Sequence, residues 1–432
     1  MSRLVVRAGQ LIDGTGAPPV RDVALVAEGR DIREVVPMAA LRPRPDDRVV
    51  DASGATVLPG LIDAHVHLHA GGGRSWLEGQ LATPVPRLAL DAYRHAWAAL
   101  EMGYTGLRDM ASVDYLDVAL RDAIDGGRLL GPRLRVSGHG LTMYGGHMAL
   151  KIRPDIPVDQ PGLCNTPEQA QAAARYQIAQ GADIVKLNTS GTEFTDGGAR
   201  GAWNFQELDR DMIEAAVGEA RKVGRFCASH CHGGEGAMNT ILGGVKTIEH
   251  AHWLTEAHFT AMLERDAILV PTWAVIAMPY ELYRSGRSRP PRLEWLLACR
   301  EAKFRSVELA MRMGVKIAAG TDAGFAVVPH GSGASELQFL VENGMSPLQA
   351  IAAATSVAAE TMGLQARVGT LAPGRWCDAT VLDGDPLADI RILQDRERIR
   401  TVIRDGEILI DRAKDARVSP VHRESKEASS QE

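Results

Sequence analysis

Residues 223–233 and 243–253 read VGRFCASHCHG and GGVKTIEHAHW. Each opens on a glycine that closes a helical stretch. A short apolar run with β-branched residues follows and ends in a pair of histidines. Glycine suits the left-handed position just past a helix, so each repeat marks a helix end and a strand start. The same pattern recurs at 102–110 (MGYTGLRDM), 180–191 (QGADIVKLNTSG) and 313–324 (MGVKIAAGTDAG). Three further apolar runs lack the glycine: 56–68 (TVLPGLIDAHVHL), 131–142 (GPRLRVSGHGLT) and 266–273 (DAILVPTW). Together they predict eight strands separated by helices, two of which start at Thr166-Pro167 and Ser346-Pro347, N-cap plus proline signals. Eight βα units are the number at which a parallel sheet closes into a (β/α)8 barrel. A doubly wound open sheet would need a glycine-rich phosphate turn after its first strand, where this chain reads HVHLHAGGG.

The chain ends read differently. Short β-type runs with turn signals occupy 1–57 and 366–413. Neither half supports a core alone, so the two are expected to pair into one small β-sandwich beside a barrel over 58–365. The fold class is therefore α/β, a TIM-like barrel with a sandwich built from both ends. The polar stretch 414–432 is expected to be a disordered tail.

Composition narrows the function. Among 432 residues, 45% are apolar and 24% charged, and the net charge is −6. Such a weak balance argues against nucleic acid or a membrane surface as a partner, and no apolar run approaches the roughly 18 residues of a membrane span. Five scattered cysteines without an export signal read as reduced thiols of a cytoplasmic protein. A homo-oligomer is the expected assembly.

The thirteen histidines carry more. On a strand, residues i and i+2 share a side, so His65 and His67 can reach one ion. Alone, such a pair is as consistent with ordinary hydrogen bonding. The remaining strand ends add Lys186, His230 and His232, His250 and His252, and Asp322. Strand ends of a barrel converge on one mouth, where the active sites of this fold lie. Imidazole nitrogen and carboxylate oxygen suit zinc, manganese, cobalt or iron, whereas calcium and magnesium prefer all-oxygen shells. By alternation Cys231 faces away, as a packing thiol. His252 is either a support for a ligand or structural, and His139 is open in the same way. His69 and His95 read as structural. The stretch 272–292 is apolar and aromatic, and either lies over an apolar substrate group or simply covers the barrel end.

The set PGLIDAHVHL, VKLNTSG, SHCHG, TIEHAHW, AGTDAG and GTLAPGRWCDATVLDGDPL resembles the amidohydrolase superfamily of metal-dependent hydrolases. Within it the chain is most similar to the branch of imidazolonepropionase-like enzymes, Xaa-Pro and Xaa-Arg dipeptidases and ochratoxinase. The resemblance implies two divalent ions, zinc first among them. It places His65 and His67 on the first ion and His230 and His250 on the second. Asp322 would ligate the first ion and act as the base toward a water bridging the two. Lys186 would be N6-carboxylated and bridge both ions; a salt-bridged or outward lysine is the alternative. The resemblance also places His232, as a transition-state contact, together with His147 and His330 at the substrate. The reaction implied is hydrolysis of a small-molecule amide, an N-acyl amino acid or a dipeptide, with cyclic amides, esters or carbamates as the alternative. A non-catalytic scaffold would be expected to lose ligands, and all six are present. Trp203 and the 272–292 stretch are expected to supply apolar surface for the acyl part.

Overall fold

A computed structural model of the chain describes residues 3–72, 82–149, 155, 160–191, 206–290 and 292–412. The expected tail over 414–432 and Trp203 lie outside these residues. The five glycines expected to end helices, at 103, 181, 224, 244 and 314, all have positive φ, from 67° to 105°. Both proline starts are helix N-termini. Thr166 accepts from the Gln169 N–H, and Ser346 forms a reciprocal capping box with Gln349.

The N-terminal part forms β1 (Arg3–Leu11), β2 (Val20–Glu28), β3 (Asp31–Pro37) and β4 (Arg48–Pro59). The barrel follows with β5 (Leu61–Val66), β6 (Tyr104–Asp109), β7 (Arg133–Arg135), β8 (Val185–Asn188), β9 (Cys227–Gly233), β10 (Thr247–Trp253) and β11 (Ile268–Val270). The chain then returns with β12 (Ala379–Leu382), β13 (Ile399–Arg404) and β14 (Glu407–Asp411). The two chain ends pair as expected. Their hydrogen bonds run through a single mixed sheet, ordered β14-β13-β12-β4-β1-β2-β3. β4 is the seam, parallel to β1 and antiparallel to β12. Leu4, Val6 and Val57 share one core with Cys377, Val381 and Ile403, so neither end has a complete core without the other.

The barrel strands are parallel in two ladders, β5-β6-β7 and β11-β10-β9-β8. Two irregular segments join them. After β7 the chain leaves the ladder and returns at Leu141, whose N–H donates to Lys186 O and whose carbonyl accepts from Asn188 N–H. The expected eighth strand is not a regular strand. Residues 316–323 close the barrel through single bridges, Leu269 to Ile317 and Val66 to Ala323. The cause is local. Asp322 has a left-handed φ of 64°, and Gly320 packs so tightly that a Cβ there would lie 2.9 Å from His65 N. This segment gives up ladder geometry to turn the Asp322 side chain inward.

Candidate metal centre and active site

The site forms where the barrel strands end. His65 is the fifth residue of β5, and His67 follows its end. Asp63, on the same strand, accepts from Thr321 N–H at 3.0 Å and Thr321 Oγ1 at 2.6 Å, fastening β5 to the segment that carries Asp322. Each imidazole is fixed from behind. His65 Nδ1 lies 2.8 Å from Glu249 Oε2, and Glu249 Oε1 accepts from Arg108 Nη2 at 2.7 Å. Burial pushes the Glu249 carboxyl up, but Arg108 and then His65 overcome it and bring it down to about 2. An ionised carboxylate only accepts, so His65 Nδ1 carries the proton. His67 Nδ1 donates to Ala111 O at 3.1 Å.

With Nδ1 turned outward in both rings, the Nε2 atoms face inward. His65 Nε2 and His67 Nε2 stand 3.3 Å apart, and Asp322 Oδ1 lies 3.5 and 3.2 Å from them. Asp322 Oδ1 has no hydrogen-bond partner despite these approaches. Burial and then the Lys186 ammonium push His65 down to about 4, so the ring is neutral near pH 7. With both rings neutral, two lone pairs and a carboxylate would converge and repel one another, and a cation would remove that repulsion. The donor set therefore fits a metal ion. Ligand atoms of His65, His250 and Asp322, all buried, lie within 4.8 Å of one another.

His250 reaches this group by breaking strand alternation. Glu249 and His250 are neighbours and would face opposite ways on a regular strand, yet both meet His65, the His250 ring at 5.1 Å between centroids. His250 and Ala251 have φ of 70° and 51°, and the β9–β10 register shifts just beyond. Thr272, at φ 50°, places Oγ1 2.8 Å from His250 Nδ1. Left-handed φ at non-glycine residues clusters at functional sites because it is tolerated only where the surroundings enforce it.

The remaining expected residues separate into two groups. Lys186, His147, His230 and His232 line the same cavity as His65, His67, His250 and Asp322. Burial pushes Lys186 down to about 8. The His230 ring lies between those of His147, stacked at 3.9 Å, and His250, at 4.4 Å, and its buried Nε2 has no hydrogen-bond partner. His232 Nδ1 lies 2.7 Å from His252 Nδ1, so His252 supports His232. Cys231 belongs to the apolar core, as expected. His330 is not brought to the cavity. Its Nε2 donates to Ala70 O at 2.8 Å and its ring stacks on His95 at 4.2 Å. His139 accepts from Asp114 N–H, outside the cavity lining.

The cavity holds about 370 Å³. Part of the 272–292 stretch forms the helix Ala274–Arg284, which with the helix Leu293–Met313 makes an apolar wall of Val275, Ile276, Pro279, Leu282, Trp295 and Leu296. The stretch therefore borders the site itself. Sequence reasoning missed Glu249, Arg108, Thr272 and Glu207, the last accepting from His147 N–H at 2.9 Å. Neither Arg108 nor Glu249 stood out, because β6 also carries Asp109 and β10 carries two histidines.

Among the described residues, no helix is long and apolar enough to cross a membrane. Residues 56–409 match the amidohydrolase family. An ochratoxinase of Aspergillus niger is 31% identical over 94% of this chain and 86% of its own length. A crystal structure of a Xaa-Pro dipeptidase with bound methionine in the active site superposes with a TM-score of 0.84 at 29% identity, covering 94% of this chain and 99% of that one. A prolidase complexed with N-methylphosphonate-L-proline gives 0.84 at 27%, over 95% and 100%. The sequence match spans both the barrel and the sheet made from the chain ends, and together with the buried His/His/Asp group it establishes that the chain belongs to the amidohydrolase family of metal-dependent hydrolases.

Proposed function

We propose that this protein hydrolyses the amide bond of N-acyl amino acids or dipeptides at a centre of two divalent ions. The observation that carries the reading is the meeting of His65 Nε2, His67 Nε2 and Asp322 Oδ1 in a buried site. His230, His250 and Lys186 stand on the same cavity. We assign His65, His67 and Asp322 to one ion, His230 and His250 to the other, and Lys186, as N6-carboxylysine, to both. The nitrogen and carboxylate donors suit zinc, the ion we propose, and also manganese, cobalt and iron. When bound, the ions supply Lewis acidity toward the scissile carbonyl and lower the pKa of water.

The chain's own residues do the rest. With a pKa lowered to about 8, Lys186 has an appreciable neutral fraction near pH 7. The neutral amine adds CO2: an N–C bond forms, a proton leaves to solvent, and the product is an anion with two oxygens. Asp322 takes the proton of the attacking water and passes it to the leaving nitrogen. His232 and His147 donate hydrogen bonds to the free carboxylate of the substrate. His330 has no part in this set, being held by Ala70 and His95. The apolar wall with Trp295 and Phe325 receives a bulky or aromatic acyl group. Similarity to an ochratoxinase, a Xaa-Pro dipeptidase and a prolidase supports this substrate class.

The test is a panel of N-acyl amino acids and dipeptides, read by mass spectrometry, each offered as free acid and as its C-terminal amide. Amidation is expected to lower kcat/KM at least tenfold, and His232→Ala or His147→Ala to shrink that preference. Equal cleavage of acid and amide would overturn the carboxylate reading in favour of esters, carbamates or cyclic amides.

A further inference from the structure

Two ionisable side chains, an amine and a carboxyl, lie fully buried behind the end of β11. Lys303 belongs to the helix Leu293–Met313 and Glu336 to the helix Gly333–Glu342. Neither lines the cavity. Lys303 Nζ donates to the carbonyls of Pro271 and Thr272, the latter at 2.7 Å, and lies 3.4 Å from Thr272 Oγ1. Glu336 accepts from the N–H groups of Trp273 and Ala274, both at 2.8 Å. The backbone of four consecutive residues is thus gripped from both polarities, with an amine donating to the carbonyls and a carboxyl accepting from the N–H groups.

Burying two ionisable groups is costly even when their polar atoms are hydrogen-bonded, and apolar replacements of similar volume are often as stable. A clamp of this kind is understandable where it holds a geometry that the chain would not keep alone. Thr272 has such a geometry, a left-handed φ of 50° at a β-branched residue. Its hydroxyl is the partner of His250 Nδ1 at 2.8 Å. The partner of one ring nitrogen sets how a histidine presents the other to an ion.

We propose that Lys303 and Glu336 are positioning residues that clamp the 271–274 turn so that Thr272 holds the His250 ring in its ion-binding orientation. The proposal rests on the two-ion reading above. It extends the metal centre through Thr272 to two helices that carry none of its ligands.

The test uses the full chain with zinc, measured by competition with a chromophoric chelator, beside thermal melting of the metal-free protein. Thr272→Val removes the hydroxyl and keeps the branched shape, and Thr272→Ser restores the hydroxyl. Loss of a partner of this kind typically weakens metal binding about 10–100-fold. We expect a loss of that order for the more weakly held zinc in Thr272→Val, no loss in Thr272→Ser, and an unchanged apo Tm in both. Lys303→Met combined with Glu336→Gln removes both ionisable groups together and is expected to weaken zinc binding in the same direction. If that double variant does not fold, the valine and serine pair decides alone. A Thr272→Val protein that binds zinc as tightly as the parent overturns the clamp, whatever its Tm. A parent protein that binds no zinc overturns the two-ion reading and the clamp with it.

Discussion

The Lys186 amine is buried on a cavity wall that also carries seven imidazoles and the Asp322 carboxylate. As an ammonium it would oppose any cation bound there, and as a carbamate it joins the ligands. Lys186→Ala is therefore expected to abolish turnover, and short carboxylic acids such as propionate to restore part of it by standing in for the lost anion. Unmodified lysine by intact mass in a fully active, metal-loaded enzyme would contradict this. Asp322→Asn keeps the size and loses the base. It should lower kcat by about 10²–10⁴-fold with little change in KM. A kcat near that of the parent across pH 6–9 would assign the proton transfer elsewhere. The six residues assigned to the ions were visible as candidates because barrel geometry makes neighbours of strand residues far apart in the chain. Glu249 was not. A regular strand would turn it away from its neighbour His250, and nothing in TIEHAHW announces the left-handed backbone that brings both to His65.

At the scale of elements, helix ends and glycine turns were readable from local chemistry, and the seven regular barrel strands fell inside the expected runs. The eighth run, 313–324, has strand composition but no regular strand, because Asp322 is presented by a strained turn that propensity does not encode. The apolar stretch 272–292 was legible as apolar but not as a wall, since its placement depends on packing against the helix Leu293–Met313. Trp295 and Leu282 from these two segments narrow the cavity. Trp295→Ala should lower kcat/KM for bulky aromatic acyl substrates about tenfold or more, and cost less with an acetyl group, because the lost contact scales with the apolar surface covered. An equal loss on both substrates would mean that the tryptophan supports the fold and not the acyl group.

Across the whole molecule, the sheet from the chain ends is fastened to the barrel by charge as well as packing. Arg133 on β7 donates to Asp405 at 2.8 Å and to buried Asp378 at 3.3 Å. Gly60 N–H, at the start of the barrel, donates to the Asp378 carbonyl at 2.9 Å. Removing one member of a buried pair leaves the other charge uncompensated, so Arg133→Ala should destabilise the fold by about 3 kcal/mol or more in urea denaturation. A loss below about 0.5 kcal/mol would show that the junction is held by packing alone. The pairing of the two ends was foreseeable because neither could support a core. The single mixed sheet they form was not, because register across β4 joins residues more than 300 positions apart.

The central claim is a two-ion centre, and the most direct measurement is the metal content of the purified protein against its specific activity. Protein produced with excess zinc or manganese is expected to approach two ions per chain, with activity rising through the second. Saturation at one ion per chain with full activity would contradict the account.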